Sequence, residues 1–459
     1  MNEECIVFGI WGHPKAAEIT YYGLHALQHR GQDGAGLIVN DGKTLKLHKD
    51  TGLVNDVFKR VDFSKFPGHA AIGHVLNMSK NGVEVDNVQP LLFRSFSGNM
   101  AVAHKGNIKN TQELIKELET EGSILQTNST PEVLAHLIKR KGRAVNEDSV
   151  IDALKQVVGA YAFMILTDDK LFIALDPRGI RPLSLGKLGD AYVVASETCA
   201  FNIVGANFVR EILPGELVTI SDEGVKTTRF NLREPRKICA MEYIYYSRPD
   251  TDLNTVNVHA ARKRSGIELA KEAPVEADVV TGVPDSSISA AIGYAEQSGI
   301  PYEMGIIKNR YVGRTFIQPS QELREQGVKI KLSPVRGIVD GKRVVMIDDS
   351  IVRGTTCRRI VGLLKEAGAK EVHVRIASPP MENRCYCGVD VTTKKELIAA
   401  KHSIEEIREI IGADSLEFLS QEGLENAIVT EETINQGICH CFEGDFPAEE
   451  GEKLAEMHE

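Results

Sequence analysis

The stretch Val344-Val345-Met346-Ile347-Asp348-Asp349-Ser350-Ile351-Val352-Arg353-Gly354-Thr355-Thr356 constrains the fold of this chain more than any other. Four apolar residues after a Gly-Lys-Arg turn predict a buried strand. Gly354-Thr355-Thr356 then opens a predicted helix over 357–366, stopped by Ala367-Gly368. A helix start of this kind attracts an anion through its orphan N–H groups and positive dipole end, and the two threonine hydroxyls add donors suited to a phosphate. Asp348 and Asp349 fall where the strand ends. Adjacent carboxylates repel unless sugar hydroxyls, a cation or a basic group stabilises them, and a phosphorylated sugar with bound magnesium supplies all three.

An apolar run followed by Asp-Asp-Ser and Arg-Gly-Thr-Thr resembles the phosphoribosyl pyrophosphate (PRPP) loop of type I phosphoribosyltransferases. The resemblance implies that Asp348, Asp349, Ser350, Arg353, Gly354, Thr355 and Thr356 bind PRPP, with the two aspartates on the ribose hydroxyls. It also implies that the turn after 277–283 lines the pyrophosphate side, with Ser286 joining Asp348 and Asp349 around Mg2+. Lys308, Arg310, Tyr311 and Arg314 open a basic segment that continues through Arg324, Lys329, Lys331 and Arg336, with Gly313 and Gly327 bracketing its loop. Such a cluster in an acidic protein is expected to form a mobile lid over the substrate, the first four residues binding PRPP.

A chain of 459 residues has room for two or three domains. A net charge of -10 without a Lys/Arg run argues against nucleic-acid binding. No apolar stretch approaches the roughly 18 residues of a membrane span, and Met1-Asn2-Glu3-Glu4 is unlike a basic leader, so a cytoplasmic protein is expected. In that reducing compartment the eight cysteines do not read as a disulfide framework.

From residue 5 to about 235, short apolar runs at 5–10, 34–39, 70–74, 100–104, 160–167, 171–174 and 192–196 alternate with Gly turns, and two helical patterns occupy 111–121 and 131–141. This is α+β with much antiparallel sheet. Near Arg233-Glu234-Pro235-Arg236 the chain turns polar. Beyond it, a helix at 286–298, strands at 302–307, 343–347 and 371–376 and a helix at 357–367 predict a parallel sheet covered on both faces, with a ligand at the C-terminal strand ends. The expected domains are 5–235, 236–441 and an acidic tail at 442–459.

Cys5 opens the first strand. If Met1 to Glu4 were removed, it would carry both a thiol nucleophile and its own α-amino base. Its neighbours Trp11-Gly12-His13, Tyr21 to Gly36, Gly159 to Phe163 and Asp176 to Leu183, with the PRPP loop downstream, are similar to the glutamine PRPP amidotransferases from end to end. The resemblance implies an N-terminal-nucleophile hydrolase sandwich (αββα) followed by an α/β type I phosphoribosyltransferase domain with a parallel sheet. It implies catalysis by Cys5 and formation of phosphoribosylamine from PRPP and glutamine or ammonia, the first step of purine synthesis. It also implies a homo-tetramer, purine nucleotides as feedback ligands, and a 4Fe-4S cluster on Cys239, Cys385, Cys439 and Cys441, although the tail here reads Cys439-His440-Cys441 where those proteins carry Cys-x-x-Cys.

The chain departs from that pattern in the amino-acid pocket. Leu76 replaces an Arg that holds the glutamine carboxylate, Lys105 an Asn that donates to the oxyanion, and Thr130 an Asp that grips the ammonium; Ile6 follows Cys5 in place of Gly. Losing one oxyanion donor typically costs on the order of 100- to 1,000-fold in rate. Impaired glutamine use is therefore expected; the alternative is compensation by neighbours, with Lys80 or Lys105 meeting the carboxylate. For the chain as a whole, a non-catalytic regulatory paralogue that binds PRPP or nucleotides is the alternative.

Overall fold

The computed structural model describes residues 5–77, 85–127, 129–231, 236–309, 332–383, 385, 394–430, 433 and 437–439. Two antiparallel sheets build the N-terminal part. One has seven strands in the order Asn207–Glu211, Ser184–Leu188, Ala191–Ala195, Ile6–Trp11, Ala70–Leu76, Gly34–Asn40 and Leu45–Thr51. The other has six: Gly224–Arg229, Glu216–Ser221, Leu171–Leu175, Gly159–Thr167, Met100–Ile108 and Leu91–Phe93.

Residue alternation on these strands sorts the core into layers. Val7, Ile72, Ala101, Ala103, Met164 and Ile173 pack between the sheets. Phe8, Ile10, Ala71 and Val75 point outward to the helices Ala16–Ala26 and Cys199–Val204. Val102, Phe163 and Phe172 point the other way to Thr111–Thr120, Thr130–Lys139 and Glu147–Leu154. The expected αββα sandwich is therefore present, with helices that the sequence did not announce at Ala16–Ala26, Val54–Phe58, Glu147–Leu154 and Cys199–Val204, the first of them the longest. The inward residues of Ala16–Ala26 are Ala16, Ala17, Thr20 and Gly23 beside a single Leu24, too small a set for a clear apolar stripe. Gly23 is what lets it approach, because a Cβ there would lie 2.4 Å from the Phe8 ring.

The C-terminal part holds a parallel sheet in the order Val279–Gly282, Arg343–Asp348, Glu371–Ile376 and Ser415–Phe418. Val345 and Ile347 face the helices Val258–Glu272, Ile288–Ser298 and Gln421–Ile428, while Val344 and Met346 face Thr355–Glu366 and Ile404–Ile411. Burial on both faces explains why this strand reads as an unbroken apolar run. The strand expected at 302–307 is a correction. Tyr302 makes only an isolated bridge to Val280, and Ile306–Lys308 pairs instead with Leu332–Pro334 in a separate antiparallel ribbon.

Residues 232–235 of the expected boundary, 310–331 of the basic segment and the tail 442–459 lie outside the described residues. Just past the boundary, Lys237 N–H and Cys239 N–H donate to Arg178 and Ile180 carbonyls, tying the two parts together. Among the described residues no helix is long and apolar enough to cross a membrane.

Candidate active site

The strand Arg343–Asp348 delivers its last residue to the C-terminal edge of the parallel sheet, where neighbouring strand ends flank it. Val283 N–H donates to Ile347 O and Ala377 N–H to Asp348 O, each at 2.9 Å. Gly354 then caps the next helix with φ +73, a conformation that L side chains rarely adopt, and a Cβ there would also press on Ile398 at 2.8 Å. The helix starts at Thr355, two residues before the expected start, so both threonines stand exposed in its first turn. Ser350 and Arg353 fill the loop between; Arg353 is turned to Glu396.

Asp348 and Asp349 are both buried. Asp348 Oδ1 accepts from Ser287 Oγ at 3.1 Å and from the Asp349 N–H at 3.0 Å; Asp349 Oδ1 accepts from Ser350 Oγ at 2.7 Å. Burial, and then the charge of Asp349, raise Asp348 well above the usual carboxylate range. Burial also raises Asp349, against the opposing help of Ser286, Ser350 and the Arg262 guanidinium. Two buried carboxylates with one cation facing them form a site short of positive charge.

Ser286 lies beside Asp349 at the approach to the helix Ile288–Ser298. Lys308 sits at the end of its short strand, paired with Asp285 at 2.8 Å on the rim. Ser286, Arg262 and Lys308 line a cavity of about 290 Å³ together with Tyr245 to Pro249 and with His29, Arg30 and Asn77 of the N-terminal part. Asp348 and Asp349 are thus brought beside Ser287 and Ser286, while Arg310, Tyr311 and Arg314 fall outside the described residues. Arg262 and the Tyr245 wall were not foreseen. They carry no motif, and only the packing of Val258–Glu272 on Ile288–Ser298 aims them here.

Cys5 is fully buried immediately before Ile6–Trp11. The register pairs Ile6 with Val75, so Cys5 comes opposite Leu76, and the two form a small apolar cluster with Val88. Lys105 is not the loose, flexible donor that its length suggests. It is 2 % exposed, and its ammonium meets Glu242 at 3.3 Å. Glu242 is also held by Arg30, and by Arg181 at 3.2 Å. A second buried carboxylate, Glu197, accepts from His29 at 2.8 Å, Thr251 Oγ at 2.8 Å and the Arg248 N–H at 2.9 Å, and pairs with Arg30. Thr130 begins the helix Thr130–Lys139, and Lys80 lies outside the described residues.

Cys239 and Cys385 are buried, and both lie within electrostatic reach of Arg181. The strand Lys237–Cys239 pairs in parallel with Gly437–Cys439, placing Cys239 and Cys439 at matching backbone positions. Cys441 lies outside the described residues. Among the described residues no group of three or more His, Cys, Asp or Glu side chains is arranged to hold a metal.

Residues 80–202 match the glutamine amidotransferase domain family, and residues 256–392 the phosphoribosyl transferase domain family. The chain is 60% identical to the amidophosphoribosyltransferase of Bacillus subtilis (strain 168), over 98% of this chain and 95% of that protein. It is 50% identical to the amidophosphoribosyltransferase of Staphylococcus aureus (strain MRSA252), over 98% and 92%. The solved structure of the B. subtilis glutamine PRPP amidotransferase complexed with ADP and GMP superposes with a TM-score of 0.92 at 60% identity, covering 96% of this chain and 97% of that one.

Proposed function

The chain belongs to the amidophosphoribosyltransferase family, enzymes of the first step of purine synthesis, and from that premise we propose how its own residues share the reaction and which nitrogen donor it uses. The PRPP ribose hydroxyls sit on Asp348 and Asp349. The 5-phosphate rests on the loop of Ser350, Arg353 and Gly354 and on the helix start at Thr355 and Thr356, and the pyrophosphate lies toward Ser286 and Lys308, with Arg310, Tyr311 and Arg314 assigned on resemblance alone. Asp348, Asp349 and Ser286 offer hard oxygen donors for Mg2+, which supplies charge neutralisation for the departing pyrophosphate. The charge deficit at the buried aspartates supports this assignment, because a cation bound there with the substrate's oxygens relieves it.

Ammonia attacks the sugar's anomeric carbon as its bond to pyrophosphate breaks. The interdomain cavity holds the two reactants in line and limits competing water.

The donor is ammonia more readily than glutamine. The single observation that carries this is the pair of substitutions at the thiol. Leu76 packs against Cys5 where a carboxylate anchor is needed, and Lys105 is spent on Glu242. No bidentate guanidinium is offered to an amino-acid carboxylate at Leu76. Nothing in the site favours a non-catalytic role. Purine nucleotides as feedback ligands are supported by the ADP and GMP bound to the B. subtilis relative; a homo-tetramer rests on family membership. A 4Fe-4S cluster on Cys239, Cys385, Cys439 and Cys441 is supported by two buried thiols and by the strand register that brings the third cysteine alongside.

Pyrophosphate release from PRPP, measured with ammonium or glutamine as donor, tests the proposal. Release with ammonium should exceed release with glutamine by about 100-fold or more, the size of a lost oxyanion donor. Equal rates would show an intact glutaminase, and no release with either would refute phosphoribosyl transfer by this chain.

A further inference from the structure

Lys105 lies on Met100–Ile108, two residues beyond Ala103 on the same face of the strand, so its backbone belongs to the inter-sheet core. Its ammonium leaves that core and crosses to Glu242 of the C-terminal part, with the side chains of Lys105 and Glu242 3 % and 0 % exposed. Glu242 begins a π-helical turn, Glu242–Tyr246, a geometry that recurs at functional sites. The residues at its end, Tyr245 to Pro249, line the same cavity as Ser286 and Lys308. Arg262 reads the position of this turn twice. Its Nε donates to Tyr243 O at 2.7 Å and its Nη2 to Ser247 O at 2.8 Å, while its charge faces Asp349. Hydrogen bonds and ion pairs therefore run from Lys105 through Glu242 and the 243–247 backbone to Arg262, whose charge acts on Asp349 of the sugar site through space.

The electrostatics of the pair are uneven. Burial alone would raise Glu242, but Arg30, Lys105 and Arg181 together hold it far below the usual carboxylate range. Lys105 is pushed down to about 8, first by burial and then by Arg30, because three cations share two carboxylates in this cluster. An asparagine at this position would leave the cluster neutral. A lysine held here against that cost marks a contact whose value is its placement.

We propose that Lys105 is a positioning residue of phosphoribosyl transfer, its ion pair with Glu242 fixing the Tyr245 to Pro249 wall and, through Arg262, the setting of Asp349. This inference rests on the PRPP site proposed above. A position that serves the oxyanion in proteins resembling this one has here been turned to shaping the pocket of the other domain.

The test is steady-state pyrophosphate release by the full chain with ammonium as donor and PRPP varied. K105M should raise the KM for PRPP about 3- to 10-fold with kcat within about twofold, a coupling of ordinary size. E242Q, which also releases Arg30 and Arg181, should raise it at least as much, and the double variant should be no worse than E242Q, since the Lys105 contact is already gone there. Should K105M fail to fold, K105Q keeps the length and carries the same comparison. An unchanged KM in folded K105M or K105Q, or additive losses in the double variant, would overturn the assignment. So would glutamine-dependent release gained by K105N, which would make Lys105 a misplaced oxyanion donor. Wild-type release with ammonium beside an unchanged variant KM refutes this inference alone; no release from the wild type refutes the reading beneath it.

Discussion

At the scale of single residues, Asp348 and Asp349 show a site built at the expense of the unliganded fold. The unfolded chain ionises its aspartates near pH 4, whereas the folded chain holds both as acids to higher pH. The folded state therefore binds more protons in between, and the penalty is full above the folded values and absent below about pH 4. Asp348→Asn removes that penalty. The ligand-free variant should unfold at a higher temperature than the wild type at pH 8, with the gap closing toward pH 4, while ammonia-dependent pyrophosphate release falls by about 100-fold or more. A gap of equal size at both pH values would mean that ionisation is not its cause. The pair of aspartates was legible because strand, loop and helix signals are local. Lys105 was not: a lysine in a strand gives no hint that a carboxylate 137 positions later waits for it.

At the scale of elements, the strand–loop–helix from Arg343 to Glu366 and the alternating strands near the N-terminus follow from periodicity and turn residues, and they stand close to where the sequence put them. The helix Val258–Glu272 was missed for the reason that Ala16–Ala26 was. Its contacts are made by backbone. A Cβ on Gly266 would lie 1.9 Å from Ala290 O, and one on Gly293 of the facing helix 1.9 Å from Lys263 O. The two helices touch where side chains are lacking, so no apolar stripe appears. Because Val258–Glu272 carries Arg262 and the loop before Ile288–Ser298 carries Ser286 and Ser287, their spacing sets the site. Gly266→Ala should cost about 1–3 kcal/mol of stability as the helices part and raise the KM for PRPP. Thermal unfolding and steady-state kinetics would check both, and an unshifted midpoint would show that the helix pair yields more easily than its packing suggests.

At the scale of the molecule, the two parts are joined by buried charge, Glu242 drawing Arg30, Lys105 and Arg181 from the N-terminal sandwich and Glu197 of the sandwich accepting from Thr251 Oγ and the Arg248 N–H, and by the hook of Lys237 and Cys239 onto Arg178 and Ile180. Cys239 stands at that joint, so a cluster there would link the junction to the C-terminal strand Gly437–Cys439. Chain purified without oxygen should contain about four iron and four sulfide per chain, and Cys239→Ser should lose both together with the visible absorbance. Iron-free wild-type protein prepared in this way would end the cluster proposal. By itself the sequence determined the order of the two parts, their layers and the strand–loop–helix that carries the proposed sugar-phosphate site, because each is written in residues a few positions apart. Only the tertiary structure decided that Leu76 closes on Cys5, that Lys105 pairs with Glu242 of the other part and that the charge of Arg262 faces Asp349. Those contacts join residues far apart in the chain, and their energies depend on burial and on the sum of neighbouring charges, which no local pattern encodes.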